Sequence, residues 1–101
     1  MSEATIFVKQ HPHENGIVLA ACDVDLVGQT LREGKIEFTV SERFYAGEKV
    51  NEKRFKELLL ESTNTNLVGK TVVDVAIKVG LLNGLNVKHI QGVPHAIVAA
   101  L

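Results

Sequence analysis

Residues 64–80, reading N-T-N-L-V-G-K-T-V-V-D-V-A-I-K-V-G, are the most continuously apolar stretch of the chain with punctuation at both ends. A segment of that kind must be buried, so the other elements are expected to pack around it. Two periods compete inside it. Val73, Val75, Ile77 and Val79 alternate with Asp74, Ala76 and Lys78, which is a strand pattern in β-branched residues. Wound as a helix, the same residues gather Thr71, Asp74 and Lys78 into one narrow polar stripe. Asp74 and Lys78 then stand at i and i+4 in the favourable order. Asn64, Thr65 and Asn66 offer N-caps, and Gly80 suits the left-handed residue that closes a helix. The caps favour a buried helix over a strand.

The other elements follow from local grammar. Residues 4–9 are β-rich, a polar connection over 10–16 ends in the turn pair Asn15-Gly16, and residues 17–22 are apolar at every position. The expectation is a hairpin with an elaborated loop, its second strand central and covered on both faces. Asp23 is placed to cap a turn of helix over 23–28, and residues 32–35 read as a second turn. In residues 35–40 the alternation is clean, with Ile36, Phe38 and Val40 facing in and Lys35, Glu37 and Thr39 facing water. Residues 41–49 read as a loop. Asn51 is the N-cap of a helix whose Phe55, Leu58 and Leu59 form an inward stripe, with Val50 and Phe55 placed for a hydrophobic staple. That helix should end near Ser62 or Thr63. Asn83-Gly84 marks a turn, residues 85–91 a strand, and Gly92-Val93-Pro94-His95 a break before the apolar tail 96–101.

These elements predict one α+β domain over residues 1–101, with an antiparallel or mixed sheet of three to five strands and two main helices on one face. Leu26-Val27-Gly28-Gln29-Thr30 is echoed by Leu67-Val68-Gly69-Lys70-Thr71, but five positions are too few to argue duplication.

Charge and cysteine content remove several function classes. A net charge of −1 leaves no overall basic footprint, so any nucleic-acid site must be a local patch. Cys22 is the sole cysteine, which excludes a disulfide framework and a multi-cysteine metal site. No apolar run reaches the length of a membrane span, and residues 1–4 lack the basic and apolar regions of a leader, so a cytoplasmic protein is expected.

The chemistry-bearing groups are few. Gly69-Lys70-Thr71 resembles the end of a phosphate-binding loop, but that loop needs a glycine at position 64, where Asn stands, and no preceding strand is evident. Nucleotide binding is rejected, and no cofactor is expected. His11 and His13 flank Pro12 and lack an evident third metal ligand, so no metal site is assigned. His95, in Gly92-Val93-Pro94-His95-Ala96, is held by a stiff backbone and could serve as a general base beside Asp23, Asp25, Glu48 or Asp74. Cys22 closes an apolar strand and reads as an inert core thiol. Arg43-Phe44-Tyr45-Ala46-Gly47 sets two aromatics beside a cation, the composition that single-stranded RNA recognition uses for stacking. Lys49, Lys53, Arg54 and Lys56 follow it, interleaved with Glu48, Glu52 and Glu57.

Five blocks in order carry a family resemblance: A-C-D-x-x-L-V-G (21–28), R-E-G (32–34), F-Y-A-G-E (44–48), N-L-V-G (66–69) and G-V-P-H-A (92–96). With them the chain resembles the archaeal domain-of-unknown-function family numbered 424, over about residues 6–96. The resemblance implies a small cytosolic archaeal protein and no catalytic residues, because the family carries no assigned activity. Small proteins of that type resemble accessory factors of information processing more than metabolic enzymes.

The leading expectation is a non-enzymatic binding module working with RNA, or with ribosomal or other translation proteins. Its site would comprise Arg43, Tyr45, Lys49 and His95, with Arg32 in addition. The alternatives are a small enzyme or ligand-binding protein built on His95 and an acidic partner, and a protein–protein adaptor. No membrane partner is expected, and the chain should be a monomer or a homodimer joined by an edge strand or the tail 96–101.

Overall fold

The computed structural model describes residues 3–14 and 16–99. Strand β1 (Ile6–His13) pairs antiparallel with β2 (Gly16–Asp23) in full register, His13 opposite Gly16. The expected elaborated loop is therefore strand almost to its end, and Asn15 of the expected turn lies outside the described residues. After a 3₁₀ turn (Val24–Leu26), β3 (Thr30–Glu33) and β4 (Ile36–Thr39) form a separate two-stranded ribbon. Helix α1 (Glu42–Tyr45), β5 (Glu48–Val50), α2 (Glu52–Glu61), β6 (Asn64–Val68) and α3 (Lys70–Lys78) follow. A 3₁₀ turn (Gly84–Asn86), β7 (Lys88–Ile90) and β8 (Val93–Ala99) complete the described chain.

The main sheet has six strands in the order β5-β1-β2-β6-β8-β7, with β2 and β6 parallel and the other pairs antiparallel. This overturns the expected sheet of three to five strands with two helices on one face. Eight strands form here because four segments outside the expected strands (30–33, 48–50, 64–68 and 93–99) find pairing partners that short-range patterns do not reveal.

The stretch 64–80 resolves its own ambiguity by dividing. Its first five residues are a strand beside β2, and the helix begins only at Lys70, so Asn64, Thr65 and Asn66 do not cap it. The valine-rich part is the expected buried helix, with Val72, Val73, Val75 and Ala76 inside and Gly80 left-handed beyond it. Strand β2 is central as expected, and Ala20, Ala21 and Cys22 are fully buried.

A sheet covered on both faces needs two cores. On one face Ile6, Val8, Leu19, Ala21 and Leu67 meet Phe55, Leu58 and Leu59 of α2 and the inner side of α3. On the other, Ala20, Cys22 and Val68 meet Leu31 of the ribbon, Val40, and Tyr45 of α1. Ile36 does not face in as expected. It is 53% exposed, because the far end of the ribbon projects past the sheet.

Candidate functional site

Helix α1 sorts its two aromatics to different tasks. Ser41 caps it by accepting from Phe44 N at 3.3 Å, and one turn then points Tyr45 inward and leaves Phe44 half-buried. Tyr45 is 2% exposed, and its hydroxyl donates to Asn66 Oδ1 at 2.6 Å. Burial drives the phenol pKa far above its ordinary value. Tyr45 therefore cannot stack on a base, and the expected role for it is corrected.

His95 reaches the same amide. Its Nε2 lies 3.3 Å from Asn66 Oδ1, and its ring packs against Phe38 of the ribbon with centroids 4.8 Å apart. Burial, then the cation of Lys88 on the neighbouring strand, hold the imidazole below its usual pKa. Among the described residues no carboxylate hydrogen-bonds to it. Cys22 lies in the same core, its thiol pushed up to about 12 by burial and by Asp23 and Asp25. A thiol so fully protonated is an inert core group. Tyr45, Asn66 and His95 thus make a partly buried polar network that, with Phe38 packed on His95, links α1 and the ribbon to the sheet.

Arg43 and Lys49 each adjoin β1, at the corner where α1, β1 and β5 meet. Alternation along β1 puts Phe7, Lys9 and His11 on the α1 face. Lys49 is the register partner of Phe7, and its Nζ sits 5.6 Å above the Phe7 ring. Lys9 Nζ donates to the Arg43 carbonyl at 2.6 Å. His11 stacks on Phe44 with centroids 4.4 Å apart and ring planes 12° apart. Its Nε2 lies 2.7 Å from the Phe44 carbonyl, so that nitrogen carries the proton and donates. Among the described residues none of Lys9, Arg43 and Lys49 is ion-paired. Gly47 permits the close approach of this corner, because a Cβ there would lie 2.3 Å from the Val8 carbonyl oxygen.

Among the described residues the interleaved glutamates form no ion pair with the cations of this corner. Glu48 is the register partner of Val8 and so alternates to the opposite face, where it lines a groove with Arg54 and Leu58. Lys49 and Arg54 border one shallow groove with Glu48 at the β5 edge, and Arg54 pairs with Glu57 at 3.1 Å. Arg32 belongs to neither group. It lies on the ribbon, pairs across strands with Glu37 at 3.2 Å, and donates its backbone N–H to Gln91 Oε1 near the other edge of the sheet.

The phosphate-loop question takes a new form here. Strand β6 does precede Gly69-Lys70-Thr71, contrary to expectation, yet the helix N-terminus is filled from within. Asp23 does not cap its own turn. Its Oδ2 accepts from Thr71 N at 3.0 Å and its Oδ1 from Val72 N at 3.1 Å, where a phosphate would sit. Gly69 leaves room for that carboxylate, since a Cβ there would lie 2.6 Å from Asp23 Cγ. Among the described residues no three His, Cys, Asp or Glu converge as a metal site requires, and no helix is long and apolar enough to cross a membrane.

Sequence reasoning missed Phe7, Lys9 and His11 as neighbours of Arg43 and Lys49. The signal existed in the spacing of two along β1, but the Pro between two histidines disguised residues 10–13 as a loop. Asn66 and Asp23 join residues 21 or more positions away, and no local pattern announces them.

Comparison with known proteins agrees with this fold. The family model described as "Protein of unknown function (DUF424)" matches residues 11–101. A crystal structure of an uncharacterized conserved protein from Methanopyrus kandleri superposes with a TM-score of 0.76. The two are 25% identical, and the match covers 95% of this chain and 93% of that one. No curated protein matches the sequence.

Proposed function

The chain belongs to the DUF424 family of proteins of unknown function, which lends it no activity, so we propose a function from the surface chemistry alone. The protein is a non-enzymatic binding module, and its ligand is single-stranded RNA held at the α1–β1–β5 corner. One observation carries the reading: Lys9, Lys49 and Arg43, without ion pairs among the described residues, share a corner with the half-buried rings of Phe7, His11 and Phe44, Lys49 lying over Phe7 and Lys9 reaching the Arg43 carbonyl. Cations neutralise phosphates, and ring faces or edges beside them receive unstacked bases. A patch of this size accommodates the overall charge of −1, because attraction acts within about a Debye length of the surface. The reading places the protein in the cytoplasm of an archaeal cell, near ribosomal or other translation components. His95 does not contribute, since it lies on β8, three strands from β1, against Phe38 and Asn66.

Fluorescence anisotropy with a labelled uridine oligomer, across a salt series, tests this. Affinity should fall as salt rises, with a slope of log K against log salt reduced by about 0.7 for each phosphate contact removed. Arg43→Glu with Lys49→Glu should weaken binding at least tenfold, a change of about 1.4 kcal/mol. Phe44→Ala should weaken it at low and high salt alike, as loss of a stacked ring does. Binding that ignores all three substitutions would overturn the reading, as would no binding at low salt.

A further inference from the structure

The sheet is left unfinished along β8. Strand β7 covers it only at Val93, Pro94 and His95, paired with Ile90, His89 and Lys88. Before Lys88 the chain leaves this edge, since Val87 packs into the helix-face core and the 3₁₀ turn at Gly84–Asn86 borders a groove beside α3. Residues 96–99 are therefore paired to β6 on one side and to no strand on the other, among the described residues. Open edges are ordinarily defended by charges, prolines or bulges. Ala96, Ile97, Val98 and Ala99 carry none of these, and Ile97 is 65% exposed on the same face as Asn66. The opposite edge, β5, is three residues long and bears Glu48 and Lys49.

We propose that residues 96–99 are a homodimer interface, at which β8 of a second copy adds antiparallel across a two-fold axis. A second copy fits better than a foreign strand for three reasons. Four uncharged residues meet their own copies without like-charge repulsion. An antiparallel pair of identical edges is isologous, so it closes and uses each edge once. A two-fold axis at Val98 also pairs residues 97–99 with residues 99–97 of the second copy, clear of the positions that β7 covers. Such a pairing buries well under the roughly 1,200 Å² of a stable interface, so the dimer is weak and concentration-dependent. It would join two six-stranded sheets into one and set the two α1–β1–β5 corners seven strand spacings apart, on the order of 34 Å before twist. The proposal stands independently of what those corners bind.

Sedimentation velocity on the full chain, in a series reaching on the order of 100 µM, tests it. Dimer should accumulate with concentration, and Ile97→Lys should raise its Kd at least tenfold. Leu60→Lys, at a 64%-exposed apolar position on α2, should leave it unchanged. Hydrogen exchange supplies a readout free of substitutions: the amides of residues 96–99 should slow as concentration rises. A monomer throughout, a dimer indifferent to Ile97→Lys, or one broken by Leu60→Lys would each overturn the proposal.

Discussion

At the scale of single residues, Asp23 ties the end of β2 to the start of α3 across 48 positions of sequence. Its two acceptor bonds replace orphan donors that any helix start must satisfy. Asp23→Ala should cost about 1–2 kcal/mol in urea unfolding. Gly69→Ala should cost about 2–3 kcal/mol, combining a Cβ that strikes Asp23 with a φ of +121°. The two effects overlap, so Gly69→Ala should be milder in the Asp23→Ala background. Strict additivity would mean that the carboxylate does not need the space. His95 makes a second residue-scale prediction. Its folded pKa is lowered, so below its unfolded value near 6.5 the unfolded chain binds more protons and stability falls. The contribution is complete above that pH and is lost as pH drops toward the folded pKa. The gain in stability between about pH 5 and about pH 7 should therefore shrink in His95→Gln. An undiminished gain would show that the imidazole is not held neutral.

At the scale of elements, what could be read in the sequence was what depends on near neighbours. Asn51 accepts from Arg54 N at 2.9 Å as a capping asparagine should, and the Phe55, Leu58 and Leu59 stripe is buried as its spacing requires. The six apolar residues of β2 announced a central strand. Residues 64–68 were misread because asparagine and threonine there look like caps. Their side chains serve the sheet instead, Asn66 joining Tyr45 and His95, while Thr65 is buried. Strands β3 and β5 are four and three residues long, so their identity comes from partners and not from pattern. The candidate site was legible in part for the same reason. Arg43 and Lys49 could be singled out because the loop composition is local, whereas the fate of Tyr45 depended on an asparagine 21 positions away.

At the scale of the whole molecule, the two faces of the sheet are built with different security. The helix-face core joins five adjacent strands of the sheet with α2 and α3. The ribbon on the opposite face shares no ladder with the main sheet and is fastened at few points. Leu31 is buried beneath it, Phe38 rests on His95, and Gln91 receives Arg32 N at 2.8 Å while its own N–H donates to Glu33 Oε1 at 3.0 Å. Gln91 holds that position with a φ of +54°, so part of the fastening depends on a strained turn residue. Local opening draws on regions with few buried contacts and exposed backbone bonds. Native-state hydrogen exchange should accordingly release the amides of β3 and β4 by a sub-global opening, at a free energy below that of β2 and β6. Gln91→Gly removes the side-chain acceptor while relaxing the backbone. It should therefore speed exchange in the ribbon and leave β2 and β6 nearly unchanged. Equal exchange free energies in ribbon and sheet would mean instead that the network of Tyr45, Asn66 and His95 welds both faces into one cooperative unit.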